Sequence, residues 1–333
     1  IGMDIHAYVE HARTFSSYCA PPAKGADNPA FELGAALGEL ALAGHDKLTF
    51  STSPMLEAFP DWVEQLVAES TGKDGTGILP VVGEPLSAPE NYGEDRVFVH
   101  LETGDEQSSE TDRKLAALEE AGHPVIRFQL PDRYYLAQEM FRWEMAVAVA
   151  SILLEVHPFN QPDVELAKKL AKEAMQSKDS SDADKTQEGF DINSSQQFSD
   201  ALNQQLSALP SNSYIGIQAY LAPSAEITEL LHKLQTTLQR RTGKATTVGY
   251  GPRFLHSTGQ LHKGGPKPAV FLQLVDEPQQ DVAVPETDYT FYELIRAQAS
   301  GDYSALKQNS QPVLQLNLGS RTTESLQQLQ ETL

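Results

Sequence analysis

Arg96–Leu130 reads RVFVHLETGDEQSSETDRKLAALEEAGHPVIRFQL. Its two ends, RVFVHL at 96–101 and VIRFQL at 125–130, are runs of β-branched, aromatic and aliphatic residues of strand length. Between them Thr111–Ala121 carries its leucines and alanines at helical spacing. Strand, helix and strand in that order predict a parallel sheet covered by helices on both faces.

The alternation continues on either side. Phe31–Leu42 has apolar residues at helical spacing and stops at Gly44, Lys47–Phe50 reads as a short buried strand running into Ser51-Thr52-Ser53-Pro54, and a second helix covers about Pro60–Ala68. Tyr134–Leu154 is a long, mostly apolar pattern, expected as a helix buried on several sides and closed by His157-Pro158. A further helix begins near Pro162, with Asp163 and Glu165 early and Lys168, Lys169 and Lys172 later, an order of charge that suits the helix dipole. Ser177–Ser199 is rich in Ser, Asp, Gln and Lys with few apolar positions and reads as a solvated connection. Strands are then expected at Tyr214–Leu221, Ala245–Val248, Val270–Val275 and Val313–Leu318, with helices at Ser224–Arg241, Phe291–Gln298 and from Glu324. The expected division is a first α/β domain at 1–177, a polar linker at 178–211 and a smaller α/β domain at 212–333. No repeat of fixed period is present.

Composition narrows the function. With 333 residues, 40% of them hydrophobic, and a mean hydropathy of −0.37, the chain has material for a large core and for two domains. The longest apolar run, Met145–Leu154, is too short for a membrane span. The single cysteine, Cys19, excludes an intrachain disulfide and a cysteine metal cluster and fits a reducing cytosol. Nine histidines show no metal-ligand spacing, so neither metal nor cofactor is expected. A formal charge of −21 argues against nucleic acid as a partner. An anionic substrate would need a local basic pocket.

Four stretches hold residues that chemistry could use. Glu64–Pro80, EQLVAESTGKDGTGILP, sets Glu69 where a helix meets a glycine-rich loop, followed by Ser70, Thr71, Gly72 and Lys73. A carboxylate there, with polar neighbours, a cation and permissive backbone, is a candidate acid/base for a small polar substrate. A surface helix ending at Gly72 explains the same pattern. Val156–Lys168, VHPFNQPDVELAK, is a Pro-bounded turn leading to Lys168, which reads equally as an ordinary exposed lysine. Gly249–Gly265, GYGPRFLHSTGQLHKGG, is expected as a loop presenting Arg253, His256, His262 and Lys263 to an anionic sugar phosphate, or else as a long surface hairpin. Ser51-Thr52-Ser53 after a strand is a candidate phosphate cradle, or simply a helix cap.

At these residues the chain resembles glucose-6-phosphate isomerase, and in particular the isomerase part of the fused bifunctional transaldolase/phosphoglucose isomerase. The resemblance lies in GHDKLTFSTSP, WVEQLVAESTGKDGTGILPVVGEPL, MFRWEMAVAVASILLEVHPFNQPDVELAKK and LHSTGQLHKGG. It implies a sugar isomerase (SIS) fold, a parallel sheet sandwiched by helices and here followed by a smaller α/β domain. It also implies aldose–ketose isomerisation of glucose 6-phosphate to fructose 6-phosphate, with Glu69 as the acid/base, Lys168 as an active-site lysine and His256 as the histidine that opens the sugar ring. Gly72, Lys73, Ser51 and Ser53 are the expected substrate contacts. In that family the histidine motif lies between the glutamate and the PFDQP segment, whereas here it follows Lys168. The family's Ser/Thr-Gly-Thr-Thr loop and Gly-Gly-Arg motif are not found in the 333 residues, and IGMDIHAYVEHAR resembles the segment just after the domain that carries them. The implied whole is a cytoplasmic homodimer with no membrane partner, in which an SIS domain, and a transaldolase domain in the fused form, lies upstream in cis. The alternative is a non-catalytic sugar-phosphate-binding SIS module.

Overall fold

The computed structural model describes residues 2–20, 28–163, 189–266 and 268–333. The chain forms two units, Ile1–Glu90 with Glu94–Asn160, and Asn91–Gly93 with Gln161–Leu333.

The first unit runs α1 (Ile5–Tyr18), α2 (Pro29–Leu42), β1 (Lys47–Thr52), α3 (Phe59–Thr71), β2 (Leu79–Val81), β3 (Arg96–Thr103), α4 (Ser109–Glu120), β4 (Val125–Leu130) and α5 (Leu136–Leu153). All four strands are parallel, in the order β2-β1-β3-β4. Capping explains where helices begin. The Asn28 side chain accepts from the N–H groups of Ala30 and Phe31 ahead of Pro29, and Ser108 accepts from Thr111 N–H. Period-two alternation puts Leu48 and Phe50 of β1 in register with Val97 and Val99 of β3. That face packs on Leu33 and Leu37 of α2, Val63 and Val67 of α3, and Trp143 and Val147 of α5. The opposite face carries a buried polar layer. The Arg96 guanidinium donates to Thr49 Oγ1 at 2.6 Å and grips both carboxylate oxygens of Glu84 at 3.1 Å. The Lys47 ammonium lies between Asp46 and Asp95, and burial pushes the Asp46 carboxyl up despite that lysine.

In the second unit come β5 (Gly189–Asp191), α6 (Ser195–Ala208), β6 (Tyr214–Tyr220), α7 (Ala225–Thr242), β7 (Ala245–Tyr250), α8 (Gly259–Gly264), β8 (Ala269–Val275), α9 (Phe291–Gln308), β9 (Val313–Asn317) and α10 (Thr322–Thr332). Its sheet is again parallel throughout, in the order β5-β9-β8-β6-β7. Ile215 and Ile217, Val270, Leu272 and Leu274, and Leu314 and Leu316 form its core with Leu231, Leu234 and Leu238 of α7 and Leu326 and Leu329 of α10.

Two expectations are corrected. The polar stretch at 178–211, read as a linker, is strand and helix over its described part. Its few apolar residues sit one helical turn apart, so Phe198 and Leu202 of α6 reach the second core while Gln196, Gln197 and Gln204 face outward. Gly249–Gly265 is not a hairpin, because β7 and β8 lie parallel on either side of β6. It is a crossover containing α8, with Leu261, His262 and Lys263 buried.

Candidate active site at the edge of the first sheet

Helix α3 leaves the C-terminal end of β1 and returns the chain to the other end of the sheet, where Leu79 of β2 pairs with Lys47, the first residue of β1. Glu69 is in the last turn of this helix and therefore stands at the edge where the strands begin. The residue is half-buried, and Gln65 Nε2 lies 3.5 Å from its carboxylate in an exposed contact. Thr71 closes the helix, its hydroxyl donating to Val67 C=O at 2.7 Å and accepting Ile78 N–H at 3.0 Å. Gly72 caps it. Lys73 and Thr76 then exchange backbone hydrogen bonds of 3.0 and 2.9 Å around a turn whose central residues, Asp74 and Gly75, have φ of 53° and 80°. Gly77 is required here, because a Cβ on it would lie 2.8 Å from the Cα of Gly72 and its φ is +145°. The loop that sequence reading leaves open is thus a pinned turn.

Lys73 is almost fully buried, and its ammonium donates to the backbone carbonyl of His157 at 2.6 Å. This bond ties the turn after α3 to the segment after α5, which ends at the same edge. Sequence reasoning passed over His157 because its place before Pro158 marks a helix stop. Its signal was its membership of the quoted VHPFNQPDVELAK stretch.

Ser51 and Ser53 lie at the opposite edge. A helix of 13 residues spans about 20 Å, so these serines and Glu69 do not share one small-molecule site. Ser51 Oγ is 3.1 Å from His100 Nδ1, and His100 Nε2 is 3.5 Å from Glu102 Oε2. The register explains the row, since Ser51 pairs with His100 and Glu102 follows on the same face of β3. Ser53 is held by Thr103 N–H on its hydroxyl. This edge is the topological switch point between β1 and β3, the common ligand position in open parallel sheets.

His256 is exposed in the second unit, in the turn before α8. Its neighbours are core residues. His262 is fully buried among Tyr214, Phe254 and Phe271, and burial, with Lys263 adding to it, pushes its pKa down to about 3. The Lys263 ammonium pairs with Asp302 at 2.5 Å out of contact with solvent. Burial, with Asp302 nearby, raises the Tyr220 hydroxyl well above the ordinary tyrosine pKa. Lys168 lies outside the described residues. Among the described residues no group of three or more His, Cys, Asp or Glu is placed to hold a metal ion, and no helix is long and apolar enough to cross a membrane.

No protein-family model matches the chain. Among known proteins it is similar to glucose-6-phosphate isomerase of Parabacteroides distasonis, 28% identical over 43% of this chain and 40% of that one. It is similar too to the enzyme of that name from Latilactobacillus sakei, 27% identical over 43% and 40%, and to a Halobacterium salinarum relative described as a probable glucose-6-phosphate isomerase, 27% identical over 37% of each. Solved structures give slight likenesses, among them a hypothetical protein from Thermus thermophilus (14% identity, TM-score 0.35, 98% of this chain and 88% of that one). Another is the C-terminal domain of glucosamine-fructose-6-phosphate aminotransferase from Francisella tularensis (10% identity, TM-score 0.30, 99% and 96%). The chain spans about two-fifths of the length of the isomerases it matches first, and what it is similar to is glucose-6-phosphate isomerase.

Proposed function

We propose that the first unit carries the proton-transfer centre of a sugar-phosphate aldose–ketose isomerase that interconverts glucose 6-phosphate and fructose 6-phosphate. The observation that carries the reading is the setting of Glu69: a half-buried residue in the last turn of α3, ahead of a turn pinned by Thr71, Gly77 and the Lys73–Thr76 pair. The likeness to proteins named glucose-6-phosphate isomerase supports it.

The chemistry fits one carboxylate. Isomerisation removes a weakly acidic carbon-bound proton, forms a cis-enediol and returns the proton to the adjacent carbon, so Glu69 acts as base and then as acid. Gly72 lets a substrate approach the backbone. The reading includes a cytoplasmic homodimer. Glu69→Gln is expected to lower kcat for the hexose phosphates by at least about a hundredfold, the scale of a positioned acid/base. A steady-state assay giving near-normal turnover refutes it.

A second reading is favoured by the Ser51–His100–Glu102 row at the switch point. It is a non-catalytic module that binds fructose 6-phosphate at that edge. Calorimetric binding that survives Glu69→Gln, in a wild-type protein without turnover, selects it.

A further inference from the structure

Enediolate chemistry needs a base for the carbon-bound proton and a donor for the oxygen that takes up the charge. Lys73 is the nearest cation in sequence to Glu69, yet it is buried with its ammonium on the carbonyl of His157, so it acts on the loop. The residue it holds carries a ring that can donate. The His157 side chain is exposed, and its Nδ1 accepts the backbone N–H of Phe159 at 3.2 Å. A ring nitrogen that accepts carries no proton, so the neutral imidazole bears its hydrogen on Nε2. The Phe159 ring stands edge-on to the imidazole, centroids 5.8 Å apart at 81°. A neutral imidazole N–H in a fixed tautomer is a known solution for polarising a carbonyl beside a glutamate base.

We infer that His157 is the electrophile of the Glu69 centre, its Nε2–H donating a hydrogen bond to the carbonyl oxygen of an open-chain sugar phosphate. The inference rests on the isomerase reading above. When Glu69 takes the proton from the carbon beside the carbonyl, the C–H electron pair becomes the carbon–carbon double bond and the carbonyl π pair moves onto oxygen. The bond from His157 strengthens as that oxygen becomes anionic, and the imidazole keeps its proton. A hydroxyl proton then passes between the two oxygens, Glu69 returns its proton to the neighbouring carbon, and the carbonyl stands one position along. No atom is gained or lost.

Three variants of the full-length protein test this with glucose 6-phosphate. His157→Ala is expected to lose at least about a hundredfold in kcat, the scale of one oxyanion donor, with KM within about threefold, because the interaction is made in the transition state. His157→Gln, which keeps an N–H donor, is expected to recover part of the loss. Lys73 grips a backbone carbonyl, which neither substitution removes. Ring ¹⁵N shifts of His157 are expected to show the neutral ring carrying its hydrogen on Nε2 and not on Nδ1. An unchanged kcat in His157→Ala while Glu69→Gln collapses overturns this inference alone, as does a neutral ring carrying its hydrogen on Nδ1. Normal turnover in Glu69→Gln, or no turnover in the wild type, overturns the isomerase reading and this inference with it.

Discussion

Buried charges show how the chain settles its polar residues one at a time. Arg96 and Glu84 form a two-point ion pair with no exposure on either side chain, and such pairs are costly to break from one side. Glu84→Ala leaves the guanidinium buried against Thr49 with its main acceptor gone. It is expected to lower unfolding stability by about 3–5 kcal/mol, measured by denaturant titration, and a loss below about 1 kcal/mol would contradict the pairing. His262 has the opposite problem, a titratable ring kept neutral by burial. The unfolded chain binds a proton there as pH falls through 6.5, whereas the folded chain resists until about 3. Falling pH across that window therefore favours the unfolded state, by up to about 1.4 kcal/mol per pH unit. Denaturant midpoints at pH 7 and 5 are expected to differ more in the wild type than in His262→Leu, and equal pH sensitivity in the two would contradict the buried neutral ring.

Elements were legible where their pattern was strong. RVFVHL and VIRFQL are strands in register, Phe98 opposite Val125 and Thr103 opposite Leu130, and Tyr134–Leu154 is α5 with a three-residue turn before it. Elements with mixed or polar surfaces were not. α6 offers only Phe198, Leu202 and a part-buried Leu206 as large apolar residues among glutamines and serines, and α9 runs ten residues past its expected end at Gln298 because Ser300, Gly301 and Asp302 interrupt the apolar pattern. Packing between helices also has a signature that sequence reading ignored. A Cβ on Gly34 of α2 would run into the Ala146 carbonyl oxygen and lie 2.7 Å from the Val149 Cβ, so α2 lies against α5 at a distance only glycine permits. Gly34→Ala is expected to cost about 1–3 kcal/mol through overpacking, although alanine favours a helix by up to about 1 kcal/mol. A thermal melt showing stabilisation would mean that the helices are not in contact there.

Across the whole chain, alternation of strands and helices was enough to give two α/β units and a parallel sheet in the first, because a parallel sheet admits few connections. The candidate site was only partly legible. Glu69, Gly72 and Lys73 could be found from spacing, and the structure sets them in one turn. Whether Ser51 and Ser53 belonged with them depended on which way α3 carries the chain, and it carries it to the opposite edge of the sheet. The bond from Lys73 to His157 joins residues 84 apart in sequence and has no local signature. What the account claims centrally is that Glu69 moves a proton between adjacent carbons, and hydrogen exchange tests that step directly. Incubated with fructose 6-phosphate in D₂O, the full-length protein is expected to place deuterium on the carbon beside the carbonyl, and the Glu69→Gln protein to leave that carbon unlabelled over the same time. Equal labelling by the two proteins would contradict the claim.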